Sequence, residues 1–129
     1  MTSLRVTGLS ELLEAEPQAA VDTLQRRLRS INRIFSTQID LASALALRGD
    51  VQGDVTDYAR AEDRLEAVLN RDAANATALF NSALVAERLK LYDRALDYLR
   101  RFLNTERSDP WRREAEARVR LIESKKTVN

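Results

Sequence analysis

Apolar residues recur every three or four positions along most of this chain, the spacing that lines one face of a helix. Trp111, Ala115, Val119 and Ile122 follow it behind Asp109-Pro110, which predicts a capped helix from Pro110 to Ser124. Ala95, Leu99 and Phe102 form the inward stripe of a helix over Asp93–Asn104, and Leu79, Ala83 and Ala86 that of a helix over 74–89. Upstream, Thr56 or Asp57 opens a helix to Asn70, and Ser36 or Thr37 caps one to Arg48. Pro17 suits the first turn of a helix to about Ser30, and Leu9–Ala15 predicts a short one before it. The stretch Gly49-Asp50-Val51-Gln52-Gly53-Asp54 carries two Gly-Asp steps and predicts a loop. The pattern therefore predicts about seven helices, with frayed ends over 1–7 and 125–129.

The chain also repeats itself. At an offset of 34 residues, Tyr58, Arg60, Ala61, Asp63, Leu65, Leu69 and Asn70 meet the same residue types at Tyr92, Arg94, Ala95, Asp97, Leu99, Leu103 and Asn104, seven identities in thirteen positions. The same offset pairs Ala83 with Ala117 and Val85 with Val119. An offset of 39 lays Ser43-Ala44-Leu45 over Ser82-Ala83-Leu84 and Leu41 over Phe80. The front halves of the two units thus read as 39 apart and the back halves as 34 apart. Five residues inserted at the Gly49–Asp54 loop would account for the difference.

A 34-residue period of paired helices resembles the tetratricopeptide repeat. Leu79, Ala83 and Ala86 fall at that family's first-helix positions and Ala95 and Leu99 at its second-helix ones, with Tyr92 just ahead of the second helix. In the earlier unit Ala44, Tyr58, Ala61 and Leu65 match. The family's Trp, Gly and Tyr of the first helix are replaced by Leu79, Ala83 and Ala86, and its closing Pro by Ala73 and Arg107. The resemblance covers about residues 36–124. It implies an all-α domain over 8–125, a right-handed superhelix of antiparallel helix pairs. Residues 8–35 would be a degenerate pair, 36–72 and 74–106 repeats, and 109–125 a C-terminal capping helix.

Composition narrows the chemistry. Ala, Leu, Glu, Arg and Lys make up 68 of the 129 residues, which suits long helices. The chain has neither His nor Cys. That removes thiolate–imidazole zinc sites, disulfides and His-based catalytic triads. The net charge of +1 gives no general field for nucleic acid. Apolar runs reach only four residues, as in Ala44–Leu47, far short of the roughly 20 needed for a membrane span. The start of the chain lacks the apolar core of a signal peptide. A cytoplasmic protein is the expectation, and its excess of Arg over Lys reads as source bias.

The resemblance implies a concave groove lined by first helices, at Gln38, Leu41, Leu45 and Arg48, then Thr77, Phe80, Asn81, Leu84 and Arg88, with Trp111, Ala115 and Arg118 following on the cap. Such a trough takes a peptide, unless the N-terminal helices or a second copy fill it. Phe80 and Leu84 are expected to touch something beyond residues 76–104. Asn81 stands where some family members grip a carboxylate, but Leu41, Leu45, Trp111 and Ala115 supply no matching polar or basic partners, so it reads as a lone polar contact. Residues 100–126 hold nine basic and five acidic residues, yet Glu114, Glu116 and Glu123 interrupt any stripe and favour a solvated face. Asp50, Asp54 and Asp57 lack the alternate spacing of a calcium loop. The one-turn pair Asp93 and Asp97 has no pocket signature.

The expectation is therefore a non-enzymatic scaffold or adaptor that binds a protein or peptide, with no cofactor, metal, nucleic acid or membrane. Ala78–Ala83 together with Ser108–Trp111 also resembles repeat regions that precede caspase-like peptidase domains in some bacterial proteins. That resemblance implies, as the alternative, a non-catalytic regulatory arm of a larger enzyme. A homodimer, with the groove of one copy holding a helix of the other, is the third expectation.

Overall fold

The computed structural model describes residues 17–127, all of whose regular elements are helices. These are α1 (Pro17–Gln52), α2 (Val55–Arg71), α3 (Ala76–Arg88), α4 (Tyr92–Thr105) and α5 (Asp109–Thr127). The predicted Leu9–Ala15 helix lies outside the described residues. Residues 125–127, predicted to fray, continue α5.

The chain forms two compact units, Met1–Ser36 and Thr37–Asn129, and their boundary falls inside α1. In the described part of the first unit, helical spacing brings Gln18 to donate to Asp22 and Thr23 to donate to the Ala19 carbonyl. Val21, Ile31 and Ile34 are exposed there.

Two features of α1 correct the sequence reading. No break separates Ser30 from Ser36, so the two helices predicted there are one. Ile31-Asn32-Arg33-Ile34-Phe35 contains no Gly or Pro, and a Ser or Thr caps a helix only where the backbone has already left it. The predicted loop also shrinks, since α1 takes up Gly49–Gln52 and leaves only Gly53 and Asp54 outside a helix.

That short link has the form of a Schellman cap. Gly53 adopts a positive φ of 66°, and the Asp54 N–H donates back to the Gly49 carbonyl at 3.1 Å. The Asp54 carboxylate then accepts from the Thr56 N–H at 2.9 Å and caps α2. The link between α3 and α4 repeats this geometry 37 residues on. Lys90 has φ 60°, and the Leu91 N–H donates to the Ala86 carbonyl at 2.9 Å.

The front halves of the units are therefore 37 apart, not 39. Ala42, Ala46 and Gly49, all buried, lie over Leu79, Ala83 and Ala86, while Ala44 is exposed and is not the small pairing residue. Gly49 sits tight at this crossing, because a methyl group there would come within 2.8 Å of the Tyr58 ring and 3.0 Å of the Asp54 carbonyl oxygen. The 34-residue match of the second helices holds, with Ala61, Leu65, Ala95 and Leu99 all fully buried. The three-residue difference is an extra turn, Val55-Thr56-Asp57, at the front of α2.

In the second unit α2 packs on α3, α3 on α4 and α4 on α5. Asn75 caps α3 by accepting from the Ala78 N–H at 3.0 Å. The core runs through Leu65, Leu79, Leu99 and Ile122, with alanines at the close approaches where a larger side chain would overpack. α5 buries only Ala115 and Ile122 completely and carries polar residues outward; its Ala117, paired with Ala83 by the repeat, is exposed.

Candidate functional site

Alternate helices of the second unit share one face, made by the end of α1, by α3 and by α5. Side-chain bonds stitch it together. Arg88 on α3 makes a bidentate pair with Asp50 on α1, at 2.8 and 2.9 Å, and Asp50 also accepts from the Tyr58 hydroxyl at 2.6 Å. The Asn81 amide lies 3.5 Å from the Ser43 hydroxyl. Glu87, nearly buried, accepts from Arg118 at 3.4 Å and from Lys125 at 2.6 Å, both on α5. Lys126 pairs with Asp93 beside it.

The face changes character along its length. Near the start of α3, Phe80 lies between Phe102 on α4 and Trp111 on α5, with ring centroids 5.2 and 5.3 Å away. These three rings, with Thr77, Asn81 and Glu106, line a recess of about 160 Å³ whose rim is the half-exposed Trp111. Midway, Ser43 and Leu47 face Asn81, Leu84 and Arg88 across a second recess. Leu47 is 61% exposed there, a large apolar side chain in water. At the far end Leu84, Glu87, Arg88, Arg118 and Lys125 form a charged hollow.

The charges on this face and just beside it are organised by their partners. Hydrogen bonds from Arg88, then from Tyr58, hold the Asp50 carboxyl below the ordinary range, and donation to Asp50 raises the Tyr58 hydroxyl. One turn into α2, Asp57 is fully buried and accepts from Arg48 twice at 2.7 Å and from Arg60 at 3.1 Å. The Arg48 bonds hold its carboxyl low, against the opposing effect of desolvation. The extra turn of α2 is what places Asp57 within reach of α1.

Thr77, Phe80, Asn81, Leu84, Arg88, Arg118 and Trp111 come together on this face. The other predicted groove residues do not join them. Leu41 and Leu45 line a recess with Arg60, Asp63, Arg64 and Ala67 of α2. Arg48 is committed to Asp57, Gln38 is half-buried with no partner for its side-chain oxygen among the described residues, and Ala115 is core. The α1 residues on the shared face are Ser43, Leu47 and Asp50, which the offset of 39 misses and the offset of 37 finds. The cap at Gly53 was one legible half of that signal. Its counterpart was hidden, because a lysine at positive φ has no sequence mark.

Among the described residues there is no group of acidic, His or Cys side chains that could hold a metal ion, and no helix long and apolar enough to cross a membrane. Comparison with protein-family models, curated proteins and solved structures finds no match.

Proposed function

We propose that this chain is a helix-pair repeat module of the tetratricopeptide kind, which binds a peptide segment of a partner protein on the face shared by α1, α3 and α5. Binding is the whole of its action, without bond-making chemistry. The observation that carries this reading is the set of apolar side chains left in water on one face, Leu47 and Trp111 beside half-buried Leu84, with hydrogen-bonding groups between them at Ser43, Thr77 and Asn81. Exposed apolar groups framed by polar ones are what a peptide-binding surface requires. The 34-residue repeat of buried alanines and leucines supports the family, and a cysteine-free chain suits the cytoplasm in which we place it.

The mechanism is docking onto a pre-built surface. Trp111 and Leu84 receive apolar side chains of the peptide, Asn81 and Thr77 bond its backbone, and the paired charges at the far end set its direction. Selection of a displayed random peptide library against the full chain, followed by calorimetry on the enriched peptides, tests this. Trp111→Ala and Leu84→Glu are each expected to weaken the enriched peptides about tenfold or more, while Arg113→Glu, at an exposed α5 residue that lines none of the three hollows of this face, leaves binding unchanged. Enrichment of no peptide, or of peptides indifferent to both substitutions, would overturn the reading.

A further inference from the structure

We infer that the opposite edge of the second unit, made by α1 and α2 around Leu41, is a self-association surface that pairs with the same edge of a second copy of this chain. This edge lies apart from the face proposed to take a peptide, and nothing in its role depends on that one.

The repeat itself identifies this edge as unfinished. In the 37-residue register Leu41 and Leu45 correspond to Ala78 and Ser82, which are fully buried within the stack. In the 34-residue register Arg60 and Ala67 correspond to Arg94 and Arg101. Arg94 reaches back to Glu62 of α2 at 2.6 Å, and Arg101 donates to the Ala73 carbonyl just after α2. The α3–α4 edge is thus closed by the preceding helix. On the α1–α2 edge, Leu41 remains 41% exposed over a recess of about 410 Å³ that it shares with Leu45 and Ala67.

Charge selects a second copy as the occupant. Asp63 and Arg64 stand side by side on this edge, both exposed, and among the described residues neither makes an ion pair. Adjacent unpaired charges of opposite sign complement themselves under a twofold axis. Two α2 helices laid antiparallel set Asp63 of one copy against Arg64 of the other, and the reverse, while the Leu41 and Leu45 side chains meet beside them. A contact of this kind is isologous and closes at two copies.

Sedimentation velocity on the full chain, from low micromolar to several hundred micromolar, is the test. The parent chain is expected to be a concentration-dependent dimer. Asp63→Arg and Arg64→Asp, each alone, should raise the dimer dissociation constant about tenfold or more, since like charges then oppose one another. An equimolar mixture of the two variants should recover dimer, because all charges then match across the axis. Leu41→Glu should abolish association with unchanged helix content by circular dichroism. A parent that stays monomeric at every concentration overturns the inference, including the case in which Leu41→Glu lowers its melting temperature and so reveals an occupant from the same chain. A dimer insensitive to these substitutions, or a mixture that fails to recover, also overturns it.

Discussion

Truncating Phe80 to Ala tests whether the aromatic cluster holds α3, α4 and α5 together. Phe80 is 8% exposed and lies against Phe102 and Trp111 with interplanar angles of 55° and 77°. These tilted geometries are the attractive ones for aromatic pairs, adding about 0.5–1.5 kcal/mol to what area burial supplies. Phe→Ala in a core costs about 3–5 kcal/mol. Two features pull the value toward the lower end. A solvent-connected recess already borders the ring, so part of the gap fills with water, and Trp111, half in water, is free to settle inward. The expected loss is about 3 kcal/mol, or roughly 10 °C in melting temperature for a chain of this size. Trp111→Ala, at a rim position, should cost only about 1 kcal/mol, and the double variant should fall short of additivity by about 1 kcal/mol. Urea unfolding followed by far-ultraviolet circular dichroism reads all three. If Phe80→Ala unfolds within about 0.5 kcal/mol of the parent, the ring is not part of the core and the cluster holds nothing together.

Ala46→Leu should destabilise by about 1–3 kcal/mol and Ala44→Leu by less than about 0.5 kcal/mol, since only Ala46 is at the buried crossing; denaturant midpoints that reverse this order would restore the offset of 39. Lys90→Gly should stabilise by about 1 kcal/mol, because a side chain at φ 60° bears a strain that glycine lacks; a lowered thermal midpoint would mean that the Lys90 side chain contributes more than its backbone costs. Asp57 and Asp50 titrate below their unfolded range, so the stability they contribute is present above the ordinary carboxyl value of about 4 and is lost as pH falls through their lower folded values. Asp57→Asn should therefore flatten the acid limb of the stability–pH curve, and a limb unchanged in slope would show that other carboxylates set it.

The second helices of the two units were readable in the sequence because identical residues occupy the same buried positions: Ala61 with Ala95, and Leu65 with Leu99. The first helices were not, for a physical reason. Small residues at Ala42, Ala44 and Ala46 alternate, so several offsets look equally good, and it takes the turn geometry at Gly53 and Lys90, with the burial of Ala46 rather than Ala44, to choose among them. The same error carried Leu41 and Leu45 onto the wrong face. Phe80, Asn81 and Trp111 escaped it, because their own helices placed them directly, while Ala115 of α5 turned into the core. The ion pairs from Asp50 and Glu87 join helices about 38 residues apart, and charged residues so frequent in this chain carry no mark of which will meet.

The order in which the helices pack bears on how the protein is made. Each of α2, α3 and α4 lies against the next helix in the chain, and the side-chain bonds of the face shared by α1, α3 and α5 reach no further than the next helix but one. Such short-range closure favours rapid folding. It also lets the early helices assemble while the ribosome is still adding the later ones. α5 is the last of the described helices to be synthesised, and its Trp111 is the lid on Phe80. Until that residue emerges, Phe80 lacks the indole ring that lies against it in the finished fold, so the last aromatic contact of this cluster can form only once α5 has been made.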